Sequence, residues 1–148
     1  MPFVELFVPK GALSADHRRR IGERLVSEVM RAEGAPDTPT ARAISWLLIH
    51  EIDGWWIGTE AWTPAAGARY VARVGVPAGS MDDDKRRQIV ERVTAVLAEG
   101  EPDPERLHRD PVAWVHVHEV PEGNWGALGR VVRFPDIASF VVNGSVAA

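Results

Sequence analysis

Val8-Pro9-Lys10-Gly11 has a near copy further along the chain, Val76-Pro77-Ala78-Gly79, and one constant offset aligns both the motif and its surroundings. The offset that carries Val8 onto Val76 also carries Arg18-Arg19 onto Arg86-Arg87, Ile21 onto Ile89 and Glu23-Arg24 onto Glu91-Arg92. Further on it carries Trp46 onto Trp114 and His50-Glu51 onto His118-Glu119. Coincidences at a single spacing mark an internal repeat, in which one supersecondary unit is used twice. The first unit runs from about residue 2 to 66 and the second from about 69 to 136; 148 residues in all is the usual size of one domain. The chain reads as a single domain, residues 1–148, made by fusing two copies of a short unit.

Each unit reads strand, helix, strand. From Phe3 to Val8 the residues alternate, with Val4, Leu6 and Val8 on one face and Phe3, Glu5 and Phe7 on the other. Its partner, Tyr70 to Val76, sets Ala72, Val74 and Val76 against Val71, Arg73 and Gly75. Period-two alternation of this kind predicts half-buried strands. Ser14 can cap a helix running to about Ala32 with Ile21, Leu25 and Val29 on its apolar stripe, and Asp82 can cap a second with Ile89, Val93, Val96 and Leu97. Ile44 to Glu51 and Val112 to Val120 are the second strands. A strand, a helix and a parallel strand form a right-handed crossover. The fold class is therefore α/β (α+β), with duplicated β-α-β units forming a four-stranded sheet and both helices on one face. The other face carries Trp46, Leu48, Trp114 and Val120, an apolar surface that calls for an oligomer. Asp53 to Gly67 and Asn124 to Phe134 each read as a short extra hairpin.

Composition narrows the functional classes. The net charge of −4 argues against a nucleic-acid partner, which would need a concentrated basic face. Two basic runs, Arg18 to Arg20 and Lys85 to Arg87, are flanked by acids and read as solvated helix faces. The absence of cysteine removes disulfides, thiolate metal sites and a cysteine nucleophile. No apolar run is long enough for a membrane span, and the first residues lack a basic region ahead of an apolar one. The expectation is a cytoplasmic protein without membrane or nucleic-acid partners. The six tryptophans sit mainly in strands and loops, where they suit interface packing or pocket walls.

Pro2, the strand after it, the Pro9-Lys10-Gly11 turn, the helix, the strand ending His118-Glu119 and the run Glu122-Gly123-Asn124-Trp125-Gly126 occur in that order. Together they resemble the tautomerase superfamily in a fused, two-unit form, the group of 4-oxalocrotonate tautomerase, cis-3-chloroacrylic acid dehalogenase and malonate semialdehyde decarboxylase. The resemblance covers Pro2 to about Phe134. It implies an enzyme, an amino-terminal-proline tautomerase or isomerase. Loss of Met1 exposes the secondary amine of Pro2, which serves as general base or acid on small enols and on 2-oxo or 2-hydroxyalkenoic acids. An α-amino group titrates at about 8 in water and lower when desolvated, near the pH at which a group can both take and return a proton. The resemblance further implies a homotrimer, a small carboxylate or enol substrate, and neither metal nor cofactor. The second unit has Tyr70 in place of Pro2, so one proline site per chain is expected.

Family members hold the substrate carboxylate with arginines, and here those positions carry other residues. The turns after the first and third strands read Lys10-Gly11-Ala12 and Pro77 to Ser80, and the second-strand positions are Trp46 and Trp114. The remaining substrate-binding candidates are Arg73, Trp114, His116 and Trp125, with Arg130, Arg133 and Asn124 as further donors. Arg73 could equally pair with Glu5, its counterpart in the first unit. His116 and His118 share a strand face, and with His50 they offer a weaker metal-binding reading. His17 and His108 read as surface residues. Two related reactions on the same scaffold, hydration of a haloacrylate-type acid and decarboxylation, would need a protonated proline; hydration would also need a carboxylate such as Glu119 or Glu51. A non-catalytic trimer that binds a small ligand is an alternative. A ferredoxin-like dimeric barrel is another, and it would require antiparallel neighbours within each half.

Overall fold

The computed structural model describes residues 1–144. Strand β1 (Phe3–Pro9) buries Val4, Leu6 and Val8 completely, as its alternation requires. The Ser14 side chain then accepts a hydrogen bond from the His17 backbone N–H at 3.0 Å and starts α1 (Ala15–Glu33). Gly34, at φ 75°, ends that helix in the left-handed conformation that glycine adopts at least cost. The short α2 (Pro39–Ala43) leads into β2 (Trp46–Ile52) and the hairpin of β3 (Trp56–Ile57) and β4 (Glu60–Ala61).

The second half repeats the plan. Strand β5 (Tyr70–Pro77) precedes α3 (Asp83–Ala98), whose cap is the Asp82 carboxylate accepting from the Lys85 N–H at 2.8 Å. A turn of helix, α4 (Arg106–Arg109), leads to β6 (Ala113–Val120) and the hairpin of β7 (Gly126–Ala127) and β8 (Arg130–Val131). The chain then forms α5 (Phe134–Asn143), where the first half has only a single 3₁₀ turn at Pro64–Ala66; this helix was not expected from the sequence.

The main sheet has the order β2-β1-β5-β6. Strand β1 runs parallel to β2, and β5 parallel to β6, while β1 and β5 meet antiparallel at the centre. The parallel pair within each half rules out the ferredoxin-like arrangement. Glu5 lies opposite Arg73, its own counterpart under the repeat, so a local two-fold axis passes between them. Pro2 and Tyr70 consequently start their strands at opposite ends of the sheet.

Helices α1 and α3 cover one sheet face, and a single core draws on both halves: Leu6, Ile21 and Leu25 from the first, Tyr70, Ile89 and Leu97 from the second. Truncating such a side chain, for example Leu25→Ala, costs about 2–5 kcal/mol. Glu28 links the two helices at their edge, accepting from Arg31 at 2.7 Å and from Arg92 of α3 at 2.8 Å. The opposite sheet face is uncovered, with Trp46 61% and Trp114 60% exposed and Leu48 beside them. No helix among the described residues is long and apolar enough to cross a membrane.

Helix α5 packs across α2, with Val141 against Met30 and Ala41. Its start is held by two carboxylates: Asp136 accepts from the Arg133 N–H at 2.9 Å, and Glu122 from the Phe134 N–H at 3.2 Å. Two expectations are corrected here. His17 is buried rather than on the surface, because its Nε2 meets the Leu97 carbonyl at 2.9 Å where α1 and α3 converge. Arg73 and Glu5 are neighbours in register without pairing; Glu5 instead meets His50 Nε2 at 3.2 Å, with the His50 ring stacked on Phe7.

Candidate functional site

Pro2 is buried at the start of β1 and places Met1 between two clefts. The first, of about 250 Å³, lies between the end of α1 and the turn after β5 and is lined by Glu33, Pro77, Ser80 and Lys85 together with α5. The second, of about 130 Å³, is apolar and includes Ile44, Trp125, Leu128 and Phe140. The fold dictates this placement. Because β1 and β5 are antiparallel, the first residue of one strand sits beside the last residues of the other and the helix entry that follows.

The charged group nearest the chain start is Glu33. Its Oε2 lies 3.4 Å from the Met1 amine, and its side chain is only 5% exposed. Burial pushes the Glu33 carboxyl above its ordinary value of 4.5, while the terminal ammonium and, less strongly, Lys85 pull the other way. Lys85, half-buried, donates from Nζ to the Ser80 carbonyl at 3.2 Å. Neither Glu33 nor Lys85 was singled out from the sequence. Glu33 has an identical counterpart under the repeat, Glu101, and that match was available. Lys85 was hidden inside a basic run that otherwise faces solvent.

The opposite end of the sheet has a matching cleft of about 370 Å³, formed by the turn after β1, the start of α1 and the end of α3. There Tyr70 stands where Pro2 stands, Glu101 where Glu33 stands and His17 where Lys85 stands. Glu101 accepts from the Tyr70 hydroxyl and from Arg106 Nη1, the latter at 3.3 Å. Arg106 Nη2 also donates to the Ala68 carbonyl at 2.8 Å. Burial and then the bond to Glu101 push the Tyr70 phenol far above its ordinary value, so it stays protonated. At this end the polar side chains satisfy one another.

Of the residues singled out in the sequence, Trp125 lines the apolar cleft with Met1. Arg73 and His116 are brought together, with His118, Phe7 and Trp55, on the uncovered sheet face, away from the core-facing side on which Pro2 is buried. Trp114 is exposed on the same strand as His116. Arg130, Arg133 and Asn124 are exposed and line neither cleft at Met1. Glu51 and Glu119, weighed above as water-activating carboxylates, are held by Arg18 and by Arg86, the latter at 2.7 Å. The His116 and His118 rings stand edge to face with centroids 6.1 Å apart. No group of three or more His, Asp or Glu among the described residues could hold a metal ion.

The architecture, two β-α-β units about a local two-fold, is the fold of several solved structures, fused 4-OT proteins among them. Among solved structures, the wild-type fused 4-OT called F6, an asymmetric trimer, matches with a TM-score of 0.69 at 19% identity, over 87% of this chain and 94% of that one. Pt0534 inactivated by 2-oxo-3-pentynoate matches with a TM-score of 0.69 at 21% identity, again over 87% and 94%. N1, a member of the cis-3-chloroacrylic acid dehalogenase family, matches with a TM-score of 0.65 at 17% identity, over 90% of this chain and 85% of that one. No family model matches the sequence, and no curated protein matches it.

Proposed function

We propose that the protein is an amino-terminal-proline tautomerase or isomerase of small enols and 2-oxo acids, with Pro2 as its proton carrier. The observation that carries this reading is the position of Pro2: buried at a strand start, with the residue ahead of it lying between two clefts, one beside Glu33 and Lys85. Removal of Met1 leaves a secondary amine at this point. The free nitrogen takes the hydroxyl proton of an enol and returns it to the neighbouring carbon, giving the 2-oxo acid and restoring the free amine. Proton transfer by a positioned group is worth roughly 10²–10⁴ in rate.

The trimeric structures among its neighbours and the exposed Trp46, Leu48 and Trp114 support a homotrimer. We read the chain as one domain, since a single core spans the two units. Glu33 favours a second reading on the same scaffold. Its carboxylate lies 3.4 Å from the Met1 amine, close to the chain start; beside the Pro2 amine that loss of Met1 exposes, it would favour the cation and make Pro2 a general acid for hydration or decarboxylation. The two readings differ in pH profile. A base-driven ketonisation rises with pH through the titration of Pro2, and an acid-driven reaction falls.

Intact mass of the purified protein tests the premise, and ketonisation of phenylenolpyruvate tests the chemistry. We expect a mass without Met1 and a rate that Pro2→Ala lowers by roughly a hundredfold or more. A fully retained Met1, or an unchanged rate in Pro2→Ala, would leave a ligand-binding protein on an enzyme fold.

A further inference from the structure

We infer that Lys85 is the carboxylate anchor of the Pro2 site and that the ligand is a monocarboxylic acid with an apolar substituent. The inference rests on the reading that the clefts at Met1 are the substrate site. Its first support is the contrast within the two basic runs. Arg18, Arg19, Arg20, Arg86 and Arg87 each have a carboxylate within 4.0 Å, whereas Lys85 has none among the described residues. Its one hydrogen bond is to a neutral carbonyl, that of Ser80. Glu33, across the same cleft, acts on it more weakly than an ion pair would, so the half-buried ammonium can receive an anion.

Local structure strengthens the case. Lys85 lies in the first turn of α3, next to Asp83 and Asp84. The helix dipole favours acids there and disfavours a cation, so neither helix electrostatics nor an ion pair accounts for a lysine at this position. The ammonium lines the same cleft as Met1. Its counterpart His17 is instead turned inward to the Leu97 carbonyl and serves packing.

The class of acid follows from the remaining walls. Lys85 is the one side-chain cation among the described residues lining the two clefts. A second carboxylate on the ligand would therefore meet Glu33 or Asp136, or apolar surface. The adjoining cleft offers Ile44, Trp125, Leu128 and Phe140, which suit an aromatic or branched aliphatic group. The arrangement selects a small acid with one charged and one apolar end.

The test is a ligand-observed NMR titration of the native protein with 3-phenylpropanoate, with its neutral amide and with adipate. We expect Lys85→Gln and Lys85→Met each to weaken binding of the acid by roughly ten- to a hundredfold and to leave the amide unchanged. Lys85→Arg should recover most of the loss. Equal effects on acid and amide, no effect on the acid, or no saturable binding of the acid by the native protein would overturn the assignment. Tighter binding of adipate than of 3-phenylpropanoate would overturn the substrate class. Pro2→Ala, run alongside, separates this inference from the proposed chemistry. If it keeps turnover while Lys85→Gln loses the acid, the proline mechanism fails and the anchor stands. If it loses turnover while Lys85→Gln binds normally, the reverse holds.

Discussion

At each end of the central strand pair a glutamate stands where a long helix finishes: Glu33 is the last residue of α1 at the Pro2 end, and Glu101 lies just beyond α3 at the Tyr70 end. At the Tyr70 end the carboxylate is fully engaged: it accepts from the phenol and from Arg106, and Arg106 spends its other donors on main-chain carbonyls. At the Pro2 end the same carboxylate meets the Met1 amine at 3.4 Å, and among the described residues no carboxylate lies within ion-pair distance of the neighbouring Lys85. Duplication gave both ends one architecture. The residues that differ fill one end with mutually satisfied groups and leave at the other an ammonium, Lys85, outside ion-pair distance of every described carboxylate. A buried polar network holds a fold when every member is satisfied, and groups left over are available to a ligand.

The comparison can be broken most forcefully at Glu101. Glu101→Ala strips the Tyr70 hydroxyl and Arg106 of their common acceptor in a nearly buried place, so we expect a loss of about 2–4 kcal/mol in urea unfolding with turnover per folded molecule unchanged. A drop in that turnover, with stability intact, would make the Tyr70 end a functional site.

Glu28 gives a smaller effect of known sign. Burial opposes its ionisation, but the hydrogen bond from Arg92 and the charges of Arg31 and Arg24 outweigh it and hold the carboxyl below its ordinary value of 4.5. A depressed folded value means that Glu28 stabilises the protein above the unfolded value and that this contribution disappears as pH falls through the folded one. Glu28→Gln should therefore cost about 1–2 kcal/mol at neutral pH and nearly nothing at the acid end. Equal losses at both pH values would place the effect in packing instead.

Glu33 should give the smallest change, and in the opposite direction. With a folded value raised by burial, the native state binds its proton more tightly than the unfolded chain. Stability then falls as pH rises from the ordinary carboxylate value through the folded one. In protein that retains Met1, Glu33→Gln should raise stability near neutral pH by less than about 1 kcal/mol and change nothing near pH 4. Destabilisation at neutral pH would show that the pair with the terminal amine outweighs the cost of burial.

Much of this frame was legible in the sequence. The offset from Val8 to Val76 gave the two units, alternation gave β1 and β5, and Ser14 and Asp82 marked the helix starts they do cap. What escaped did so for physical reasons. The second hairpin was legible, but its match to the first was not, because two extra residues precede it and the Val132 N–H to Trp125 carbonyl bond repeats that of Trp62 to Trp55 at a longer offset. Helix α5 is short and its capping carboxylates, Asp136 and Glu122, come from opposite directions in sequence, although Ile137 and Val141 at helical spacing and Gly144 beyond were signals of it. His17 and Lys85 sit in polar first turns that look solvated in one dimension. Only the convergence of helix entry and strand end brings them over a cleft. Arg73, His116 and Trp114 have the chemistry of ligand-binding residues but lie on the sheet face that no element among the described residues covers.

Covalent labelling by 2-oxo-3-pentynoate, followed by peptide mapping, distinguishes the two ends. We expect one adduct per chain, carried by the peptide that begins at Pro2, and none in Pro2→Ala. An adduct mapped to the Tyr70 end, or labelling that persists undiminished in Pro2→Ala, would contradict this expectation.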